Sequence, residues 1–329
     1  MFARQQWGLL LMLLALTVLG FLISLSSGSA GLGIGEVLRQ LLQPDAGLQN
    51  QILFDLRIPR SVAAFVTGAL LAMSGVIMQV LLRNPLADPY ILGISGGAAV
   101  AALAAILLGL GAYWISQAAF LGALLSVLIV FGLARSSHRW SATRLILTGV
   151  VVSAGWGAII NILLTTSSNN SVYSMLFWLM GDLSQSRVGG FGIAVLASGF
   201  LLMMYYGRAL NVLSRGDLQA AALGVPVRRL KLILYFTASL LTACAVTIAG
   251  SIGFVGLVTP HMLRMIGARD HRILLPASVL LGGSFLMIAD SAARTIVAPQ
   301  QLPVGVVTAL IGVPVFLLIL RHSNRHVQE

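Results

Sequence analysis

The chain has 329 residues, 58% of them hydrophobic and 9% charged, with a formal net charge of +11. Soluble domains carry about 25% charged residues, so a water-soluble fold would have no interior large enough for this much apolar surface, and lipid must be the solvent. The basic residues sit between apolar runs, which reads as membrane topology and not as nucleic-acid binding, and the single cysteine, Cys244, excludes an intrachain disulfide.

The apolar runs do not alternate and are about 20 residues long, so they are helices; barrel strands would alternate over about 10 residues. They fall near 7–26, 61–82, 91–110, 116–134, 145–166, 191–207, 229–250, 273–293 and 304–320. The first, Trp7 to Ser26, follows Arg4 and ends in Ser26-Ser27-Gly28-Ser29-Ala30, like a signal peptide; its length reads instead as a retained first span. Before the second span, Arg57 and Arg60 flank Ile58-Pro59, and Arg294 lies at the far end of the ninth. These arginines read either as interfacial anchors of helix ends or as docking groups for a partner's carboxylates, which guanidinium matches in a bidentate fork. Gln79 in the second span needs a polar partner, and Asp88-Pro89 reads as cap and first position of the third. Gly93 and Gly97 form a Gly-x-x-x-Gly packing signal.

In the fifth span Gly149, Ser153, Gly157, Asn161 and Thr165 recur every four residues and so form one ridge on one helix face. Two readings stand: close packing through small residues, or one wall of a polar path. Gly305, Thr308, Ala309 and Gly312 repeat the theme in the last span. The loop 208–231 contains Arg215, Gly216, Asp217, Leu218, Ala221, Ala222, Leu223 and Gly224, with Pro226 beyond. Asp217 can cap, the alanines and leucines favour helix, and Gly224 with Pro226 end it. A short helix over about 215–224 is either a surface turn or a coupling helix resting on a soluble motor.

From Leu230 to Leu263 the chain is too long for one span and too short for two full helices and a turn. A short tenth crossing over about 251–268, part extended and part helical, fits, because extended chain advances about 3.3 Å per residue against 1.5 Å in a helix. Thr259-Pro260 reads as its N-cap and first helical residue. With ten crossings and both termini inside, 15 of the 20 basic residues are cytoplasmic and 5 are outside, the positive-inside bias. Gly75…Pro85 and Gly250…Pro260 share a ten-residue spacing, a faint hint of an inverted repeat.

The absences are also informative. Lys231 is the only lysine and Leu232 follows it, so no phosphate-binding P-loop exists. There is no His-Glu-x-x-His motif, and the histidines are scattered, four of them among loop or terminal arginines. Neither a metal site, a cofactor nor a catalytic constellation is expected, so the chain reads as a transporter subunit and not an enzyme.

Several motifs together resemble the FecCD-type permeases. They are Arg57-Ile-Pro-Arg60, Gly68-Ala-Leu-Leu-Ala-Met-Ser-Gly75, Arg83-Asn-Pro-Leu-Ala-Asp-Pro89, Leu92-Gly-Ile-Ser-Gly-Gly-Ala98, Gly250-Ser-Ile-Gly-Phe-Val-Gly-Leu-Val-Thr-Pro-His261 with Arg264, and Leu302-Pro-Val-Gly305 with Gly312-Val-Pro314. The resemblance covers nearly the whole chain as one permease domain. It implies an all-α, ten-helix subunit of type II ABC importer architecture in the bacterial inner membrane. It implies a second permease copy, two cytoplasmic ATPase subunits below and a periplasmic substrate-binding protein above. The 215–224 helix would couple to the ATPase, Arg57, Arg60 and Arg294 would face glutamates of the binding protein, and the fifth and tenth helices would line the path at the dimer axis. The expected cargo is a ferric siderophore or cobalamin, with haem as the alternative within the family. From other classes, an ATP-independent secondary transporter would need intramembrane carboxylates, of which Asp290 comes nearest, and an intramembrane enzyme would need a site that is not found.

Overall fold

The computed structural model describes residues 2–28, 33–44, 47–134, 141–184 and 186–325; Asp45, Arg135, Arg139, His138 and His326 lie outside the described residues. The described chain is helical: α1 (Phe2–Ser26), α2 (Ile34–Leu42), α3 (Leu48–Gln51) leading through a π-type turn (Ile52–Arg57) into α4 (Ile58–Leu81), a 3-10 turn (Pro89–Leu92), α5 (Ile94–Leu107), α6 (Ala112–Ala134) and α7 (Ala142–Thr166). There follow α8 (Asn169–Met180), α9 (Gly190–Leu213), α10 (Asp217–Ala222), α11 (Val227–Ala249), α12 (Val255–Met265), α13 (His271–Thr295) and α14 (Val304–Arg325). Among the described residues seven helices are long and apolar enough to cross a membrane, and Ile94–Leu107 and Val304–Leu318 are shorter apolar helices. All nine apolar runs are thus helical.

Burial sorts the helices into a centre and a periphery. The apolar window of α4 is 89% buried, against 67% for α11, 61% for α13 and only 11% for α7. α4 packs along α13 on one side and α11 on the other, α1 covers α13, and α5 pairs with α6. Lipid supplies no hydrophobic force between helices, so close backbone approach must hold them together. The contacts are made at glycines: a Cβ on Gly68 would overlap the Gly282 carbonyl, one on Gly75 the Gly256 carbonyl, and one on Gly122 the Gly97 carbonyl.

The segment 251–268 is broken as expected, but it starts elsewhere. Residues 251–253 are non-helical, Phe254 is left-handed, and α12 begins at Val255. Thr259 and Pro260 therefore lie inside the helix and not at its start, which corrects the capping expectation. The reason is local. An internal proline removes the hydrogen bond to the carbonyl four residues back, here Gly256. That oxygen instead accepts from Gln79 Nε2 of α4 at 3.4 Å, and Thr259 Oγ1 donates to Val255 O at 2.6 Å. Gln79 Oε1 in turn accepts from Arg264 Nη1, so the polar group of the second span is fully partnered.

Asp88 caps as expected, accepting from Tyr90 N at 2.7 Å, but it caps the 3-10 turn; the span itself begins after Gly93, whose φ of +70° suits glycine. The short helices α2, α3 and α8 were not anticipated. α8 has 12 residues and opens after Ser167-Ser168, a polar cluster that reads as the end of a span.

Candidate translocation path and coupling surface

One groove runs between α8, the broken segment and α14. It encloses ≈ 570 Å³ and is lined by Leu179, Met180, Ser251, Gly305, Val306, Ala309, Leu310, Val313 and Pro314. Gly305 forms its floor, since a Cβ there would overlap the Met180 carbonyl and stand 3.2 Å from Ser251 O. Ser251 Oγ accepts from Ser95 Oγ at 2.8 Å, which ties the broken segment to the start of α5, and Tyr90 Oη accepts from Ile252 N at 3.1 Å.

The two ridges fare differently. On α7, Gly149 is buried against the Ile91 carbonyl, and Ser153 Oγ would lie 3.1 Å from a Cβ on Gly93. This half of the ridge packs. Above it Gly157 meets nothing within 4 Å, and Asn161 and Thr165 are exposed. Thr165 Oγ1 spends its proton on Asn161 O at 2.8 Å. On α14, Gly312 packs against the Phe254 ring, and buried Thr308 donates to Gly305 O at 3.0 Å. Of the nine ridge residues only Gly305 and Ala309 line the groove, and no α7 residue does. Within one chain the two ridges are not brought onto one wall.

At the opposite ends of α4 and α13 lies a charge cluster. Asp290 is fully buried and accepts from Arg60 through Nε at 3.1 Å to both oxygens and Nη2 at 2.8 Å. Arg294 Nε pairs with Asp290 Oδ2 at 3.1 Å, and its Nη atoms donate to Ser24 O and Ser27 O at the end of α1. Arg57 is 6% exposed and donates Nη1 to Leu25 O. The three arginines that the sequence singles out are therefore brought together, and each also has a partner within the chain. Arg57 and Arg294 satisfy carbonyls at the end of α1, acceptors a helix end leaves orphaned, whereas Arg60 also donates to Gln301 Oε1.

The loop between α9 and α11 carries α10, a helix of six residues. Its N-cap is Gly216 and no side chain caps it, so the capping role expected of Asp217 is corrected. Asp217 turns inward, and its Oδ2 accepts from Lys231 Nζ of α11 at 2.6 Å. Ala220 is buried, whereas Arg215, Ala221, Ala222 and Gly224 are exposed and Leu218 and Leu223 are 88% and 72% exposed. α10 thus offers a small apolar face to water, held by one ion pair whose lysine end is buried and whose Asp217 side chain is 37% exposed. Behind it, Asn211 of α9 bridges to α13: its Nδ2 donates to Asp270 Oδ1 at 2.8 Å, and its Oδ1 accepts from His271 N at 2.8 Å. Asp270 also caps α13, and the Arg272 guanidinium beside it holds its carboxyl well below the usual carboxylate range.

Sequence reasoning undervalued Lys231, Asp290 and Met180. The first was legible as the one lysine in a chain that otherwise uses arginine. The second was legible as a lone carboxylate in an apolar run, and the third carries no local signal.

The FecCD transport family model matches residues 16–322. The hemin transport system permease protein HmuU of Yersinia pestis is 40% identical over 331 residues, covering 98% of this chain and 97% of that one. The ABC transporter permease protein YvrB of Bacillus subtilis is 38% identical over 323 residues, covering 92% and 90%. The cobalamin import system permease protein BtuC of Halobacterium salinarum is 43% identical over 273 residues, covering 82% and 73%. Among solved structures, an inward-facing ABC transporter described as of metal-chelate type superposes with a TM-score of 0.84 at 32% identity, covering 96% of this chain and 99% of that chain.

Proposed function

The chain belongs to the FecCD transport family, and from that premise we propose that it is the membrane permease of an ABC importer that brings a metal chelate from the periplasm into the cytoplasm. The observation that carries this reading is α10. A six-residue helix with Leu218 and Leu223 almost bare in water is unfavourable alone and fits an apolar groove on a soluble partner. A chain with no P-loop of its own needs that partner to be the ATPase.

Ten crossings follow when α12 with its extended lead-in is added to the nine apolar helices, and both termini are then cytoplasmic. Two copies form the path. In support, α7 is the least covered long helix, with Gly157, Asn161 and Thr165 open on one face, and the groove beside Gly305 and Ala309 is open too. A second copy would place the two ridges opposite each other across the dimer axis. Arg57, Arg60 and Arg294 are proposed to receive carboxylates of a periplasmic binding protein; Arg60, 12% exposed at its side chain, is the most open of the three. Cargo is a ferric siderophore, cobalamin or haem, chosen mainly by that binding protein.

A secondary transporter would need a free carboxylate at membrane depth. Asp290, the nearest candidate, is taken by two guanidinium groups. The test is transport into proteoliposomes that contain the permease with its ATPase and binding protein. Uptake requires all three and ATP, and Leu218→Asp abolishes the stimulation of ATP hydrolysis by the binding protein. Uptake by the permease alone from an ion gradient, or normal stimulation in Leu218→Asp, refutes the proposal.

A further inference from the structure

We infer that Lys231 is a positioning residue for the coupling helix, an inference that rests on reading α10 as that helix. Lys231 sits one turn into α11, 4% exposed, between Leu230 and Leu234, which are equally buried. Its neighbours Arg228 and Arg229 point into water, as does Arg215 beside α10. The chain therefore places its single side-chain amine inward at a position where an arginine's broad, forked head would not suit a single oxygen at the end of a short reach. The ammonium is a compact point charge, and Asp217 Oδ2 lies 2.6 Å from it.

The pair sits in an asymmetric setting. The other oxygen, Asp217 Oδ1, is buried with no hydrogen-bond partner among the described residues. Removing the ammonium would leave a carboxylate at the root of α10 with neither counter-charge nor full solvation, and it would turn outward to find water. α10 has no capping side chain to resist this, and only Ala220 anchors it through apolar burial. Lys231 thereby fixes the rotation of α10 about its axis, and that rotation decides whether Leu218, Ala221, Ala222 and Leu223 face the ATPase. The brace also joins α10 to α11, a central helix that packs along α4, so movement of α10 is passed to the transmembrane core and not lost in the loop.

The test uses the assembled permease–ATPase complex with its binding protein. Lys231→Met lowers ATPase-subunit affinity about tenfold and removes most of the stimulation by binding protein, while the melting temperature of the permease stays within a few degrees of wild type. The charge exchange Asp217→Lys with Lys231→Asp restores at least half of the stimulation, which a merely structural loss would not do. Because Lys231 carries the only side-chain amine of this chain, acylation of the permease subunit by an amine-reactive ester, read at the peptide that holds Lys231, reports the brace directly: slow in wild type, several-fold faster in Asp217→Asn. Unchanged affinity in Lys231→Met, no recovery in the exchange variant, or unchanged acylation overturns the inference. Leu218→Asp separates the two layers. If it binds the ATPase normally, the coupling-helix reading itself is wrong; if it fails to bind while Lys231→Met binds normally, only the brace is wrong.

Discussion

The buried cluster around Asp290 allows a quantitative test of how the C-terminal ends of α1 and α13 and the N-terminal end of α4 are held. Asp290→Ala removes the one carboxylate shared by Arg60 and Arg294, whose side chains are 12% and 8% exposed. With Arg57 also covered, three guanidinium groups would then be left with carbonyl, amide and serine hydroxyl oxygens as partners and no counter-charge among the described residues. Breaking a buried pair from one side costs about 3–5 kcal/mol, because the remaining charge stays buried and uncompensated. At about 2 °C per kcal/mol for a domain of this size, the melting temperature falls by roughly 6–10 °C. Arg60→Met should cost less, since Arg294 still neutralises Asp290. The double variant should be less damaged than the sum of the two, with a coupling of about 1–3 kcal/mol. Cys244, the sole cysteine and 2% exposed in α11, supplies the assay: a thiol-reactive dye becomes fluorescent as the detergent-solubilised core opens. Equal melting of Asp290→Ala and wild type, or greater damage from Arg60→Met, would show that the cluster does not hold these helices.

Packing, hydrogen bonding and pH give three further expectations. Gly75→Ala drives a methyl into the Gly256 carbonyl, so α4 and α12 must separate at a cost of about 1–3 kcal/mol, whereas Gly155→Ala, with nothing within 4 Å, leaves melting unchanged in the same assay. Gln79→Leu strands both the Gly256 carbonyl and Arg264, costing about 1–3 kcal/mol; Gln79→Glu, which keeps an acceptor for Arg264, should recover part of that loss. Asp270 has a depressed carboxyl, so its contribution is complete above the ordinary aspartate pKa of about 3.9 and fades as pH falls below it. A fall in melting temperature below about pH 4 that is smaller in Asp270→Ala is expected; identical acid sensitivity in both proteins would remove Asp270 from the account.

On the proposed function, cargo selection lies outside this chain, and the groove suits it. The groove beside α14 offers Ser251 and backbone among apolar side chains, and Thr308 and Thr165 have turned their hydroxyls into their own helices. On that proposal the wall would pass a bulky solute without recognising it. Directed polar groups instead appear at contacts between helices, in the Ser74–Thr242 pair at 2.7 Å and the Ser24–Ser61 pair at 2.7 Å.

Hydropathy alone determined the class of the protein, its nine apolar helices and the break near residue 251, because transfer into lipid is a property of each residue that accumulates along the chain. The repeated glycines were legible for the same reason, since a missing side chain permits close approach wherever it occurs. The partner of each glycine and each charge was not. Arg60 meets Asp290 across 230 positions, and Arg264 meets Gln79 across 185. No local pattern records those distances. Thr259-Pro260 looked like a helix start because the usual cost of an internal proline was charged to it, and only the tertiary structure supplied Gln79 to relieve that cost. The ridge on α7 read as one surface by periodicity, yet packing divided it, burying Gly149 and leaving Asn161 uncovered. Sequence thus decided which segments enter the bilayer, and the fold decided which faces meet, because burial in lipid is additive whereas helix contact depends on shape brought together from far along the chain.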